Sequence, residues 1–268
     1  MNRNIVIVRG AGDIGTAIAH RLHNCGFRLL LLEVEQPLVV RRKAAFASAV
    51  LESEAEVEGV RAVRVNSRVD MDRVWDTGSI PVLCDRECRI LDEISPTAVI
   101  DATLAKRYTG TNKSMAPITI AAGPGFEAGV QVDAVIETKR GHNLGRIIYK
   151  GFAEADTGIP GEIMGYGSER LLKAPVNGII TNLLDIGSRV KKGELIATVS
   201  GEPVKAQIDG VVRGLIADRS SVVAGQKIGD VDPRSIVEYC HTISDKSRAV
   251  AGGVLEALLH LMNKGEVK

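Results

Sequence analysis

The chain has 268 residues, 34 Lys+Arg against 33 Asp+Glu for a formal net charge of +1, and 45% hydrophobic residues of which few are aromatic. That apolar fraction at near-zero charge excludes a disordered chain. Apolar runs of only a few residues exclude a membrane-spanning helix, and balanced charge with few stacking side chains argues against a nucleic-acid partner. The length suits two modest domains, each with its own core. Glycine is over-used, at 28 residues against an ordinary share of roughly 7%, so the positions of the glycines are the informative signal.

In chain order, Met1-Asn2-Arg3-Asn4 precedes a short strand-like run and lacks the apolar core of a secretory signal, so a cytoplasmic protein is expected. Ile5-Val6-Ile7-Val8 reads as a buried strand that ends on Gly10-Ala11-Gly12-Asp13-Ile14-Gly15. Ile14, Ile18, Leu22 and Cys25 then recur at helical spacing until Gly26 stops the helix. A second buried strand, residues 28–33, closes on Glu33, 18 residues after Gly15. A G-x-G-x-x-G turn between a strand and a helix, with an acid at the end of the next strand, has a physical use at each position. Gly10 permits the tight turn, Gly12 lets a pyrophosphate approach the backbone, and Gly15 lets helix and strand pack closely. The helix N-terminus presents free N–H groups, and Glu33 would accept from ribose hydroxyls. Asp13, beside the turn, would either repel an anion or cap the helix. Arg41 and Arg42, followed by Lys43, are candidates for a 2′-phosphate or another anion; a solvated helix face is the alternative.

Residues 60–65, 81–84 and 98–101 continue the series of strands, separated by helical or polar stretches at 70–75 and 87–94. Asp101 ends its strand on the side where open α/β sheets bind ligands, and Lys106 follows. Cys25, Cys84, Cys88 and Cys240 contain no C-x-x-C pair; Cys84 and Cys88 read as a reactive or metal-binding pair or, more simply, as partly buried, inert thiols. A second glycine cluster, Gly123-Pro124-Gly125-Phe126-Glu127-Ala128-Gly129, lies between strands at 118–121 and 130–137 and suits a loop passing close to a ligand or another chain. His142 falls near turns, so His142 and Lys106 are the candidate proton donors. His20 and His23 lie on the polar side of the first helix, and no metal site is expected.

Residues 175–199 and 207–231 align without gaps at an offset of 32, matching Gly178 with Gly210, Ile180 with Val212, Ser188 with Ser220, Val190 with Val222 and Gly193 with Gly225. Two such copies resemble the barrel-sandwich hybrid of biotinyl and lipoyl domains. The joint Ser200-Gly201-Glu202-Pro203 lacks a carrier-lysine motif, and Lys205 falls in the following strand, so no biotin or lipoate is expected. A last helix starts near Ser244-Asp245-Lys246 and carries the stripe Val250, Val254, Leu258, Leu261. Gly252-Gly253 inside it implies close helix packing, ligand approach or a later helix start.

Several ordered motifs resemble one family. They are residues 8–13, Arg41-Arg42, Gly123-Pro124-Gly125-Phe126, residues 135–142, Thr157-Gly158-Ile159-Pro160-Gly161, residues 227–234 and Ser244-Asp245-Lys246. The chain is similar to the selenium-dependent molybdenum hydroxylase system proteins. That resemblance implies an accessory role in maturing such an enzyme, with the molybdenum hydroxylase or its cofactor-assembly proteins as partners, and it carries over no catalytic residue.

The resulting expectation is an α/β fold: a Rossmann-like parallel sheet domain with a glycine-rich extension over residues 1–168, a small all-β barrel-sandwich hybrid over 169–232, and a C-terminal helical segment over 233–268. NAD(P) or another nucleotide, as a phosphate-bearing small molecule, would lie against Gly10, Gly12, Asp13, Gly15, Glu33, Arg41, Arg42, Asp101, Gly123 and Gly125. The functional expectation is a maturation protein; the alternatives are an NAD(P)-dependent oxidoreductase and a non-catalytic nucleotide-sensing scaffold, so catalysis itself stays open. A homo-oligomer is compatible with all three.

Overall fold

A computed structural model describes residues 4–158 and 160–266. Ile159, inside one of the motifs above, and Met1-Asn2-Arg3 of the N-terminal segment lie outside the described residues. The chain divides into two units: residues 1–37, 45–157 and 243–268 form the first, and residues 38–44 and 158–242 the second.

In the first unit, β1 (Ile5–Arg9), β2 (Arg28–Glu33), β4 (Val60–Val65), β5 (Ile80–Cys84), β6 (Ala98–Asp101), β7 (Ile118–Ala122) and β8 (Ala134–Ile136) run parallel. Two antiparallel edge strands, β3 (Glu54–Val57) and β9 (Ile147–Ile148), complete a nine-stranded sheet of order β3-β4-β5-β2-β1-β6-β7-β8-β9. The helices are α1 (Asp13–Asn24), α2 (Ser48–Glu52), α3 (Arg68–Asp76) and α4 (Asp245–Glu266). The central strands are buried along their length, as β1 and β2 illustrate (Val6, Ile7 and Val8 with Leu29, Leu30 and Leu31), which is why they read as continuous apolar runs. The expected Rossmann-like parallel sheet is therefore corrected to a mixed sheet. The edge strand β3 was missed because its sequence Glu-Ala-Glu-Val alternates exposed acids with small residues. It forms a hairpin with β4 through Glu58 (φ 47°) and Gly59 (φ 79°), a turn whose positive φ angles match the strand twist.

The C-terminal helix belongs to the first unit rather than to a segment of its own. It starts at Asp245 and runs through both glycines. A Cβ on Gly253 would lie 2.2 Å from the Gly145 carbonyl oxygen, and one on Gly252 would lie 3.2 Å from the Arg21 guanidinium. Close packing of α4 thus explains glycines that otherwise cost the helix roughly 1 kcal/mol each.

The second unit contains β10 (Leu171–Lys173), β11 (Gly178–Asn182), β12 (Arg189–Val190), β13 (Leu195–Val199), β14 (Glu202–Lys205), β15 (Gly210–Leu215), β16 (Ser221–Val222) and β17 (Lys227–Asp232). They form two four-stranded antiparallel sheets of order β10-β17-β15-β12 and β14-β13-β11-β16, so the expected barrel-sandwich hybrid is corrected to that arrangement. The 32-residue offset maps β11, β12 and β13 onto β15, β16 and β17. Each long strand pairs with the last strand of its own copy and with the short strand of the other: β11 with β13 and β16, β15 with β17 and β12. Neither copy completes its sheet alone, and their apolar faces (Ile180, Ile196 and Val199 from one; Val212, Ile228 and Val231 from the other) share one core.

Candidate functional site

The carboxyl ends of the parallel strands are where loops from different strands converge. Here the chain passes from β1 through α1 to β2 on one side and later returns to place β6 on the other side of β1. The first glycine turn sits at that divergence. Gly10 adopts φ 88°, and a Cβ there would lie 3.2 Å from Ala102 and Thr103 in the loop after β6. Gly15 is more constrained still, because a Cβ would approach the Gly10 carbonyl oxygen to 1.8 Å. Gly12, the N-cap of α1, has no atom within 4 Å of its Cβ position and makes no side-chain cap. Two glycines of the turn are thus accounted for by packing, and the third faces open space.

Glu33 reaches the turn in an unexpected role. The Ala11 N–H donates to its Oε2 at 2.8 Å and the Val34 N–H to its Oε1 at 2.9 Å, so the carboxylate braces the turn instead of standing ready for ribose hydroxyls. Asp101 is fully buried and likewise engaged. It accepts from Arg9 at 3.1 Å, from the Thr103 N–H and hydroxyl at 3.1 and 2.6 Å, from Thr109 at 3.3 Å and from Thr111 at 2.6 Å. Arg9 also bonds Thr111. Asp101 is the hub that holds the loop after β6.

In the second glycine cluster, Gly123 takes φ 95° beside Thr138, and a Cβ on Gly125 would lie 2.4 Å from the Ala105 carbonyl oxygen. The close approach at Gly125 is thus to the neighbouring loop of the same chain, where the sequence suggested a ligand or another chain. Arg41 and Arg42 lie in the second unit. Arg41 donates to the Tyr239 and Thr242 carbonyls at 2.8 and 2.6 Å, and Arg42 to the Leu215 carbonyl at 2.7 Å and Asp185 at 3.0 Å. Lys106 is exposed and paired with Asp156 at 2.5 Å, and His142 is exposed.

Sequence reasoning passed over Glu137, Ser247 and Lys246 as site residues. Glu137, 3% exposed just past β8, accepts from the backbone N–H groups of Lys139 and Glu154, each at 2.7 Å. Ser247, fully buried, donates from its hydroxyl to Asp13 at 3.0 Å and so ties the first turn of α4 to the first residue of α1. Lys246 is part-buried beside them. Burial pushes its amine below the usual lysine range, Arg140 adds to that, and Asp13, Asp156 and Glu137 act in the opposite sense. The signal was present as Ser-Asp-Lys at a helix start, but sequence gives no means of placing that start beside α1.

A separate cavity of about 380 Å³ lies at the ends of β4 and β5, lined by residues that include Ser67, Arg68, Cys84, Arg86 and Arg89. Burial pushes the Cys84 thiol up, and that of Cys88 up to about 11. Among the described residues no group of three or more His, Cys, Asp or Glu side chains could hold a metal ion, and no helix is long and apolar enough to cross a membrane.

The fold and site together define a mixed α/β unit with a glycine turn at its strand divergence, joined to a duplicated β unit. No known protein-family model matches the chain. It is 48% identical over 261 residues to the uncharacterized protein YqeB of Escherichia coli K12, a match that covers 97% of this chain and 48% of YqeB. The chain therefore spans about half the length of the curated relative it matches. Similar solved structures include an aspartoacylase family protein from Mesorhizobium loti (15% identity, 86% of this chain and 85% of that one, TM-score 0.27). Two others are the ectoine utilization protein EutE from Ruegeria pomeroyi (13%, 85% of each, 0.27) and a succinylglutamate desuccinylase from a Silicibacter species (13%, 85% and 84%, 0.25). At such scores the likeness is too slight to carry a fold or an activity across. None of these proteins points to selenium or molybdenum. The expected membership in the selenium-dependent molybdenum hydroxylase system is corrected accordingly, and the maturation role and its oxidoreductase alternative go with it.

Proposed function

We propose that the first unit binds a phosphate-bearing small molecule, of which a nucleotide is the leading kind, with its phosphate against the first turn of α1. The observation that carries this reading is the division of labour among the turn glycines. Gly10 and Gly15 are required by packing, whereas Gly12 leaves open space at the start of a twelve-residue helix. The first-turn amides of such a helix lack intrahelical acceptors and carry the positive end of its dipole, which favours an anion. The location supports the reading too, since ligands of open, mainly parallel sheets collect where the strand order diverges. In this reading Glu33 holds the turn in shape through the Ala11 amide and Asp101 holds the facing loop. A cytoplasmic setting, where free nucleotides are plentiful, belongs to the same proposal.

The test is isothermal titration of the whole chain with ADP, NAD, NADP and inorganic pyrophosphate. Binding of at least one, weakened by Gly12→Ser, is the expected result; no binding by any of the four overturns the proposal.

A further inference from the structure

Within the first unit, a cavity of about 310 Å³ opens between the C-terminal half of α1 and the first half of α4. Ligand pockets begin at roughly that size. Its buried lining is apolar: Ala251 is 1% exposed, Ala17 2% and Ile243 7%, with Leu255 half-buried beside them. Its charged lining is cationic. Arg21 and Arg248 face it, and among the described residues no Asp or Glu does. The cavity at the ends of β4 and β5 lacks that bias, because Asp85, Glu87 and Glu93 stand among its arginines.

The polar groups around this cavity are committed, with one exception. Glu58, in the β3–β4 turn, accepts from the Ile243 N–H at 2.8 Å and from one Arg248 nitrogen at 2.6 Å. His20 Nε2 donates to the Glu58 carbonyl at 3.3 Å, and the Asn24 amide donates to His20 Nδ1 at 3.4 Å, so both ring nitrogens are used. Arg21 is the exception: half-buried, it makes no hydrogen bond and no ion pair among the described residues. Its guanidinium is seated against Gly252 of α4, where a Cβ would lie 3.2 Å from Nη1. Alanine at that position would favour the helix, so the glycine gives up helix stability and keeps room for the guanidinium. The negative end of the α1 dipole favours a cation in the last turn. That accounts for the charge of Arg21, but not for a guanidinium without a partner at the wall of a cavity.

We propose that the cavity between α1 and α4 is a binding site for a small organic carboxylate, its carboxylate held by Arg21 and Arg248 and its apolar body lying against Ala251 and Leu255. The planar fork of a guanidinium matches a carboxylate through two parallel hydrogen bonds, and Arg21 has its whole fork to offer. Arg248 commits one nitrogen to Glu58 and keeps its other N–H groups for a second acceptor. The apolar lining selects against an anion without a hydrocarbon body, and the cationic lining against a body without a charge. This site stands apart from the glycine turn, since Gly12 caps the first turn of α1 and Arg21 lies in the last.

Cys25 supplies the readout, because its exposed thiol lines the same cavity. The whole chain is treated with N-ethylmaleimide, an uncharged reagent, in the presence of hexanoate, hexanamide, acetate or inorganic phosphate at matched ionic strength. The rate of Cys25 modification is followed by peptide mass spectrometry. Hexanoate is expected to slow the reaction and to raise the thermal midpoint of the protein. The other three should need at least about tenfold higher concentrations for the same protection. Arg21→Gln should raise the hexanoate concentration for half-protection by about tenfold or more, as loss of a charged hydrogen-bond donor does. Arg73→Gln, at an exposed arginine of α3, should leave it within about twofold, with thermal midpoints checking that both variants are folded. Protection by hexanamide equal to that by hexanoate would make the cavity merely apolar, and equal protection by acetate or phosphate would make it a bare cationic patch; either overturns the proposal. So does an unprotected Cys25 in wild type, or equal protection of wild type and Arg21→Gln. Pyrophosphate binding at Gly12 is read by calorimetry, so the two sites stand or fall separately.

Discussion

Gly12 and Gly15 stand three residues apart in one turn and carry opposite constraints. A methyl group on Gly15 would collide with the Gly10 carbonyl oxygen, and backbone cannot move aside as a side-chain end can. Gly15→Ala should therefore lower stability by about 3 kcal/mol, the upper range of overpacking costs. Gly12 already has ordinary angles (φ −69°, ψ −168°) and open space, so Gly12→Ser should change stability by no more than about 0.5 kcal/mol, serine being a good N-cap. Its side chain would instead fill the space offered to a ligand. Thermal unfolding of the two variants beside ADP titration separates the effects; a stable Gly15→Ala protein would contradict the packing geometry. The cysteines offer a second residue-scale test. Cys25 is exposed, whereas burial raises the thiols of Cys88, to about 11, and of Cys240. At about pH 8 a disulfide reagent should react rapidly with one thiol, and Cys25→Ser should abolish that phase, since reaction follows thiolate fraction and access. Cys88 and Cys240 should react only on unfolding.

At the scale of elements, the β3–β4 hairpin is tied to the start of α4 through one carboxylate. Glu58, in the hairpin turn, accepts from the Ile243 N–H at 2.8 Å and from Arg248 at 2.6 Å. Burial alone would push its carboxyl up, but these donors more than offset that, and it is held below the usual glutamate range. A carboxylate depressed in the folded state contributes stability that is present above the ordinary pKa and disappears as pH falls through the folded value. Glu58→Gln should cost about 1 kcal/mol near neutrality, allowing for the solvent exposure of Arg248. Thermal midpoints should show wild type and variant converging as pH is lowered from about 5 to about 3; a constant gap would remove Glu58 from the acid response. Elements of this kind mark the limit of what was legible. The central strands could be read because full burial makes them apolar throughout, and the repeat because its matched positions share one offset. The edge strand β3 could not, because its side chains face water and its role is hydrogen bonding. Within the site, the glycine turn was legible from spacing, but the engagement of Glu33 by Ala11 and of Asp13 by Ser247, from a helix more than 200 residues away, depends on tertiary placement.

At the scale of the whole molecule, the two units are not consecutive in the chain, and the least expected part of the division is the seven-residue segment 38–44, which belongs to the second. Its membership has a clear physical basis. The Leu215 N–H donates to the Val40 carbonyl at 2.8 Å, Arg42 Nε donates to the Leu215 carbonyl at 2.7 Å, and Lys43 donates to the Ile186 carbonyl at 3.0 Å. Arg41 reaches two further carbonyls, and Arg42 and Lys43 both pair with Asp185. A Cβ on Gly214 would lie 2.5 Å from a Val40 methyl, so the glycine makes room for this segment. The basic run that sequence reading offered to a ligand phosphate is thus a splice that completes a β unit whose two copies already depend on each other's short strands. Residues 158–242 produced alone should therefore fold less stably than the same fragment joined through a flexible linker to residues 38–44. With hydrogen bonds worth about 1 kcal/mol net each setting the scale, the difference should be at least about 1 kcal/mol in denaturant unfolding. Arg41→Ala within the linked fragment should remove a large part of that difference, since two of the carbonyl bonds are its own. Equal stability with and without the segment would mean that it merely lies on the unit, and the phosphate reading of Arg41 and Arg42 would again be open.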